Sequence, residues 1–244
     1  MSNYYLDITK AGKVMLRSLT GTLTDVGGIV IASLLGAFIG KHMDDRYKQL
    51  LIAMLGFIAL AVGFQSFATY MAKSNYAVLF IIAMILGTTL GTWLDLDGHV
   101  NRLASKGSAG LARSIITECT LSCFGALPIV GSIMAATSHD FTFLFINASL
   151  DFVMVLILSA ADGIGMIVCA PIIFLYQFFL ILIATFARQW LTTDLITEIA
   201  MLGGLMVASS GLNLMKLKNL KTTNQIPSLL IPIIFFTCKA VFHF

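Results

Sequence analysis

Asp151 is the only charged residue between residues 141 and 161, a stretch otherwise rich in aliphatic and aromatic side chains. Asn147 precedes it by four residues, so a helix would place both polar groups on one face. A carboxyl group in such a stretch is either protonated and neutral or paired with a cation. Asp151 is therefore the first candidate for binding an ion or a proton. The alternative role is a hydrogen bond from a protonated Asp151 to a neighbouring helix.

Three further polar residues are candidates for the same site. Glu118 and Glu198 lie about one turn inside the ends of apolar stretches, where a carboxylate can instead extend to the lipid headgroups or face a helix N-terminus. Asn213 lies inside another apolar stretch, and its amide oxygen could help to bind a hard cation. Hydrogen bonds between helices are the alternative role of the uncharged polar residues in these stretches, Gln65, Gln177 and Asn213.

The remaining reactive residues do not form a recognisable catalytic or metal site. Asp25 and Asp162 fall at the ends of apolar stretches and are expected at the membrane interface. The four His residues lie in expected loops or at the C-terminus, whereas zinc would need ligands at closely matched spacing. The sequence has no metalloprotease, nucleotide-binding or serine-hydrolase motif. It therefore predicts no enzyme, no metal and no cofactor.

The composition is that of a membrane protein. The 244 residues are 58% hydrophobic and 11% charged, with a mean hydropathy of +0.94, whereas soluble domains carry about 25% charged residues. The formal net charge of +3 is small and dispersed, which excludes a phosphate-binding surface for nucleic acid. The lipid bilayer is the expected partner.

Charge-free runs of about 20 residues mark the elements that must position the candidate residues. The sequence predicts an all-α polytopic protein with about eight transmembrane helices, or seven as the alternative, in a single domain of residues 20–244. Residues 1–19 are predicted to form an amphipathic tail, because Lys10, Lys13 and Arg17 share one helical face. The predicted spans are residues 22–40, 49–72, 75–94, 115–137, 142–160, 164–187, 198–215 and 226–241.

Basic residues in the loops predict the orientation of the chain. Nine Lys and Arg residues lie in the loops 41–48, 102–113 and 216–221, against six in the opposite loops and tail. Because basic loops stay in the cytoplasm, both termini are expected on the outer side.

Glycines spaced by four residues indicate close helix packing. Such pairs let two helix backbones approach in lipid, and the alternative role is a surface along which helices slide or solute passes. The first and third predicted spans share six of fourteen aligned positions, which indicates an internal repeat. A weaker similarity of inverted topology relates Gly56 and Gly63 to the seventh span. The glycines expected at packing surfaces are Gly36, Gly40, Gly87, Gly91, Gly203, Gly204 and Gly211.

The same glycine motifs resemble an uncharacterised family of bacterial inner-membrane proteins, the YqgA/YdfK type. The resemblance rests on the motif of residues 21–25, on Leu35-Gly36-x-x-x-Gly40 and Leu86-Gly87-x-x-x-Gly91, and on motifs in every later span, so it covers nearly the whole chain from about residue 20. It implies a multi-pass protein of the inner membrane. Members of this family lack an assigned substrate and are described as candidate cation channels or pumps. The chain departs from the family pattern at Asp25, Asn147 and Asp162, which changes the local charge.

These observations lead to two hypotheses of different class. The first is a transport protein or channel for a small cation, a proton or a cation-coupled solute, with Asp151 as the central ionisable residue. The second is a scaffold or regulatory subunit that does not transport and that assembles, as a homo-oligomer for example, through its glycine-packed helices. A substitution of Asp151 would impair the first and leave the second intact.

Overall fold

The computed structural model describes residues 2–39, 44–105, 110–123, 126–187 and 192–242, with side chains described from residue 19 onward except at short gaps. All regular elements within these ranges are helical, as predicted. They comprise α1 (Ser2–Ile39), α2 (Asp45–Met71), α3 (Leu79–Trp93), α4 (Leu96–Ser105), α5 (Leu111–Cys123), α6 (Ala126–Ser138), α7 (Thr142–Asp162), α8 (Cys169–Ala187), α9 (Thr193–Leu214) and α10 (Leu230–Phe242), with 3₁₀ segments at Ile164–Val168 and Thr222–Leu229.

Five helical stretches of the described chain are long and apolar enough to cross a membrane, which confirms the prediction of a polytopic helical membrane protein. They are Leu19–Ile39, Gln49–Met71, Thr142–Asp162, Ile164–Ala187 and Thr193–Leu214. A sixth crossing results if α3 and the start of α4, which meet at a bend of 47°, are taken together.

The other two predicted spans are made of shorter pieces. Residues 115–137 correspond to parts of α5 and α6, each 13 residues long and so about 20 Å, which is less than the hydrocarbon thickness. The junction at 124–125 lies outside the described residues. Residues 226–241 begin in a 3₁₀ segment that contains Pro227, and α10 follows. Proline cannot donate a backbone hydrogen bond within a helix, which favours a break at this position.

The predicted amphipathic tail and the first span belong to one helix. Helix α1 begins at Ser2 and continues to Ile39 without interruption. At 1.5 Å per residue its length is about 57 Å, so it extends well beyond one membrane thickness. The side chains of residues 2–18 lie outside the described part, and the interfacial position of the tail stays a prediction.

The helices form two compact units that alternate along the chain. Unit 1 comprises α1, α5, α7, α8 and nearly all of α6, and unit 2 comprises nearly all of α2 together with α3, α4, α9 and α10. In unit 1, the largest interface joins α1 to α7. In unit 2, α3 packs against the 3₁₀ segment before α10, and α2 packs against α9.

Helices α1 and α7 run in the same direction. Gly21 packs against Leu144 near the start of α7, and Gly36 packs against Ser159 near its end. The hydroxyl of Ser159 donates to the carbonyl oxygen of Ser33 at 2.7 Å. Two helices of one chain are parallel in a membrane when an odd number of crossings separates them. Three crossings would separate α1 from α7, namely α2, α3 and one made by α5 together with α6. The parallel direction of α1 and α7 therefore agrees with eight spans, and that count stays a prediction.

Helices α2 and α9 run in opposite directions and approach closely through glycines. A Cβ on Gly56 would lie 2.9 Å from the carbonyl oxygen of Gly211, and a Cβ on Gly63 would lie 2.6 Å from that of Gly204. Neither position has room for a side chain, because real Cβ atoms do not approach an oxygen this closely. Gly203 is also buried, whereas Gly40 lies outside the described residues.

Candidate functional site

The packed faces of α1 and α7 carry the polar residues that meet in unit 1. On α7, the buried residues Asn147 and Asp151 are one helical turn apart, as predicted from their spacing. On α1, Asp25, Ile29 and Ala32 are all completely buried. Their spacing of four and three residues places Asp25 on the same helical face as the apolar residues that pack against α7.

Asp25, Asn147, Asp151 and Gln177 form a hydrogen-bonded group, the carboxyl–amide cluster. The side-chain amide of Asn147 donates to Oδ2 of Asp25 at 3.1 Å and to Oδ2 of Asp151 at 2.9 Å. The amide of Gln177, on α8, donates to the same oxygen of Asp25 at 2.5 Å. Each of the four side chains is at most 5% exposed. The cluster therefore joins α1, α7 and α8 at a position shielded from solvent.

Glu118 of α5 adds a third carboxyl group next to the cluster. It is 1% exposed, and its Oε1 accepts a long hydrogen bond of 3.4 Å from the hydroxyl of Ser122. Asp25, Glu118 and Asp151 are close enough to interact electrostatically. Among the described residues, these three carboxyl groups interact with carboxyl, thiol, amide and hydroxyl groups. None of their interaction partners there is a Lys, Arg or His side chain.

Three oxygen atoms at this site have no hydrogen-bond partner among the described residues. They are Oδ1 of Asp25, Oε2 of Glu118 and Oε1 of Gln177, and all three are buried. Each is an acceptor without a donor. A buried acceptor that finds no donor is costly, so the site favours a ligand that supplies positive charge or a hydrogen-bond donor.

The sequence identified only part of this group. Asp151, Asn147 and Glu118 were predicted as candidates, and the structure brings them together in unit 1. Asp25, expected at the membrane interface, is buried and accepts hydrogen bonds from α7 and α8, so it belongs to this group, while its depth in the membrane stays a prediction. Gln177 was expected to hydrogen bond between helices, and its bond to Asp25 is of that kind.

The two other predicted site residues belong to unit 2 and have different partners. Glu198 is 1% exposed and accepts a hydrogen bond from Ser74, while its second carboxyl oxygen has no partner among the described residues. Asn213 accepts a hydrogen bond from the backbone N–H of Leu220 at 2.8 Å. Asn213 therefore stabilises the chain reversal after α9.

Asp162 lies at the end of α7 and is half-buried. Its carboxylate accepts a hydrogen bond of 2.5 Å from the hydroxyl of Ser114. It has no contact with the carboxyl–amide cluster among the hydrogen bonds of the described residues, so it provides a reference carboxyl group in the same helix as Asp151.

Among the described residues, the thiols of this unit do not complete a metal site. Cys119, Cys123 and Cys169 are free thiols packed in the core around α5 and α8. In the part of the chain that the structure describes, no group of three or more His, Cys, Asp or Glu side chains is arranged to hold a metal ion.

Comparison with known proteins shows the family. A family described as "Protein of unknown function (DUF554)" matches residues 20–237. The chain is 35% identical over 213 residues to the "Uncharacterized membrane protein YdfK" of Bacillus subtilis (strain 168), a match that covers 87% of this chain and 93% of that protein. It is 20% identical over 223 residues to the "Uncharacterized protein YqgA" of Escherichia coli (strain K12), covering 86% and 93%. No solved structure matches.

These matches confirm the resemblance that the glycine motifs indicate. They extend over most of this chain and over nearly all of both relatives. The relative from Bacillus subtilis is described as a membrane protein, in agreement with the apolar helices. The chain belongs to the DUF554 family, whose function is unknown.

Proposed function

We propose that this protein moves a small cation, alone or coupled to a solute, across the bacterial inner membrane, and that the cation binds at the carboxyl–amide cluster. The observation that carries the proposal is a set of three buried carboxyl groups without a neighbouring basic side chain among the described residues. Buried carboxylates must be neutralised, either by protons or by a bound cation.

The position of the cluster supports transport over a purely structural role. Asp151 is near the middle of α7, and Gln177 is near the middle of the stretch Ile164–Ala187. Ionisable residues at such depth are costly, and they commonly mark ion pathways. Unpartnered acceptor oxygens at the same site provide a reason for a positively charged ligand to bind there.

The alternative, a scaffold assembled through glycine surfaces, has less support. Gly36, Gly87 and Gly91 are buried against residues of their own chain, namely Ser159, Ser228 and Asn224. Surfaces that are covered within one chain are not free to form an oligomer. No observation on the described residues favours an enzyme, and we propose that the protein is not one.

Flux measurements in proteoliposomes test the proposal. The full chain is reconstituted, and uptake of Na⁺, K⁺ or protons is followed under an imposed gradient of each ion. We expect flux of at least one of them above protein-free liposomes, and its loss to that background in Asp151→Asn. The control is Asp162→Asn, which removes a carboxylate from the same helix outside the cluster. Unchanged flux in Asp151→Asn at equal protein content would overturn the proposal.

A further inference from the structure

We propose that the ligand of the carboxyl–amide cluster is a proton, shared between Asp25 and Asp151 and supported by the bridging amide of Asn147. This inference rests on the proposed function and specifies its ion. It concerns a binding event within unit 1 alone.

The first step of the argument is the shared donor. One nitrogen, Nδ2 of Asn147, lies within hydrogen-bond distance of a carboxyl oxygen of each aspartate, at 3.1 and 2.9 Å. An amide NH₂ group has two hydrogens, one for each carboxyl group. The two carboxyl groups are therefore fixed as neighbours by a residue that is itself 3% exposed.

The second step is the contact between the two carboxyl groups. Asp25 and Asp151 also lie within hydrogen-bond reach of each other. Ionising both of two such close carboxyl groups in a buried site is costly, because like charges repel strongly when water is excluded, so the doubly charged pair readily takes up a proton. When one of them is protonated, its O–H donates to the other, and the repulsion becomes a hydrogen bond.

The third step distinguishes a proton from a metal ion. Oδ2 of Asp25 accepts from two amide groups, those of Asn147 and Gln177. The N–H hydrogens of these two amides point at the lone pairs of Oδ2, and a metal ion would need one of those lone pairs to be unobstructed. A proton needs only one free oxygen, and Oδ1 of Asp25 has no partner among the described residues.

The titratable groups around the pair are consistent with this assignment. Helix α5 contributes Glu118, Cys119 and Cys123, and α8 contributes Cys169 and Tyr176. None of them is a cation at neutral pH. On binding, an O–H bond forms on one carboxylate and the pair changes from two negative charges to one. Release breaks that bond and returns the proton to water.

Infrared spectroscopy on the full chain in lipid tests the assignment. A protonated carboxyl group gives a C=O band that is separate from the carboxylate bands and shifts in D₂O. We expect such a band near neutral pH, and we expect a component of it to be lost at high pH and in both Asp25→Asn and Asp151→Asn, beside any component from the buried Glu118. Asp162→Asn is the control and should keep the band. Because Asp25 and Asp151 lie on different helices, a folding defect in one variant leaves the other as a test.

The outcomes separate this inference from the proposed function. A band that is absent, or that keeps its full intensity in both cluster variants, overturns the shared proton even if flux is found. A band that disappears when Na⁺ or K⁺ replaces choline at constant pH shows displacement by a metal cation, and also overturns it. A band with the expected behaviour supports the shared proton even if flux is absent, in which case only the transport proposal fails.

Discussion

Gln177 is a buried amide whose only hydrogen bond among the described residues runs to Asp25. Substituting Gln177→Leu keeps a similar volume but leaves Oδ2 of Asp25 with a single donor. We expect this change to lower the free energy of unfolding by about 1–3 kcal/mol, the usual cost of removing a partner from a buried polar group. Thermal unfolding in detergent measures the effect.

A second glutamine provides the matched control. Gln65 also lies within an apolar helix, α2, but its side chain is exposed. Gln65→Leu should therefore leave the unfolding midpoint unchanged or raise it. Equal destabilisation by the two substitutions would contradict the role assigned to Gln177.

At the scale of residues, local spacing predicts local partners but not distant ones. The four-residue interval between Asn147 and Asp151 is sufficient to place both on one face of α7. Asp25 is 122 positions from Asn147 in the chain, so no spacing rule relates them. Asp25 was therefore predicted only as an interfacial residue, because its position three residues inside the expected first span gave no sign of its contacts with α7 and α8.

Gly36 shows how a small residue fixes the distance between two helices. A Cβ at this position would lie 2.9 Å from Cβ of Ser159 and even closer to the carbonyl oxygen of Leu156. We expect Gly36→Ala to destabilise the α1–α7 interface by about 1–3 kcal/mol, because the backbone of α7 would have to shift. The unfolding midpoint of the purified chain measures this change.

Gly27 on the same helix is the control for this prediction. A Cβ at Gly27 meets nothing within 4 Å. Gly27→Ala should therefore be neutral or should stabilise α1 by up to about 1 kcal/mol, the difference in helix propensity. If Gly36→Ala is tolerated as well as Gly27→Ala, then the close approach of α1 and α7 is not needed for stability.

At the scale of elements, glycine patterns predicted close packing but not its partners. The similarity between Gly56 with Gly63 and Gly204 with Gly211 looked like an inverted repeat, and the two segments in fact pack against each other. Each glycine makes room for the backbone opposite, which is a sufficient reason for the matching intervals. The repeat between the first and third spans meets different partners: Gly36 faces a parallel helix, whereas the partner of Gly87 runs antiparallel.

For the whole molecule, composition predicted the class of protein, whereas the two compact units are visible only in the structure. A chain with 11% charged residues must be embedded in lipid, and its long apolar helices agree. The two compact units were not predicted, because each is assembled from segments that alternate along the chain. Such units have no linker between them, so no local change in composition marks a boundary.

The number of crossings can be tested at the loop that follows α6. If α5 and α6 together cross once, the loops before α3 and before α7 lie on the same side, in agreement with the parallel packing of α1 and α7. Single cysteines at the exposed positions Ala77, Ser138 and Lys218 report the side of each loop. They are introduced after the native cysteines Cys119, Cys123, Cys169 and Cys238 are replaced by Ala.

We expect a membrane-impermeant maleimide to label Ala77→Cys and Ser138→Cys from the outside of intact cells, and Lys218→Cys only after the membrane is opened. The outer assignment follows from the basic loops, which stay in the cytoplasm. Opposite labelling of Ala77→Cys and Ser138→Cys would show that α5 and α6 enter and leave the membrane on one side. If only Lys218→Cys is labelled from the outside, the result still agrees with eight crossings but places both termini in the cytoplasm.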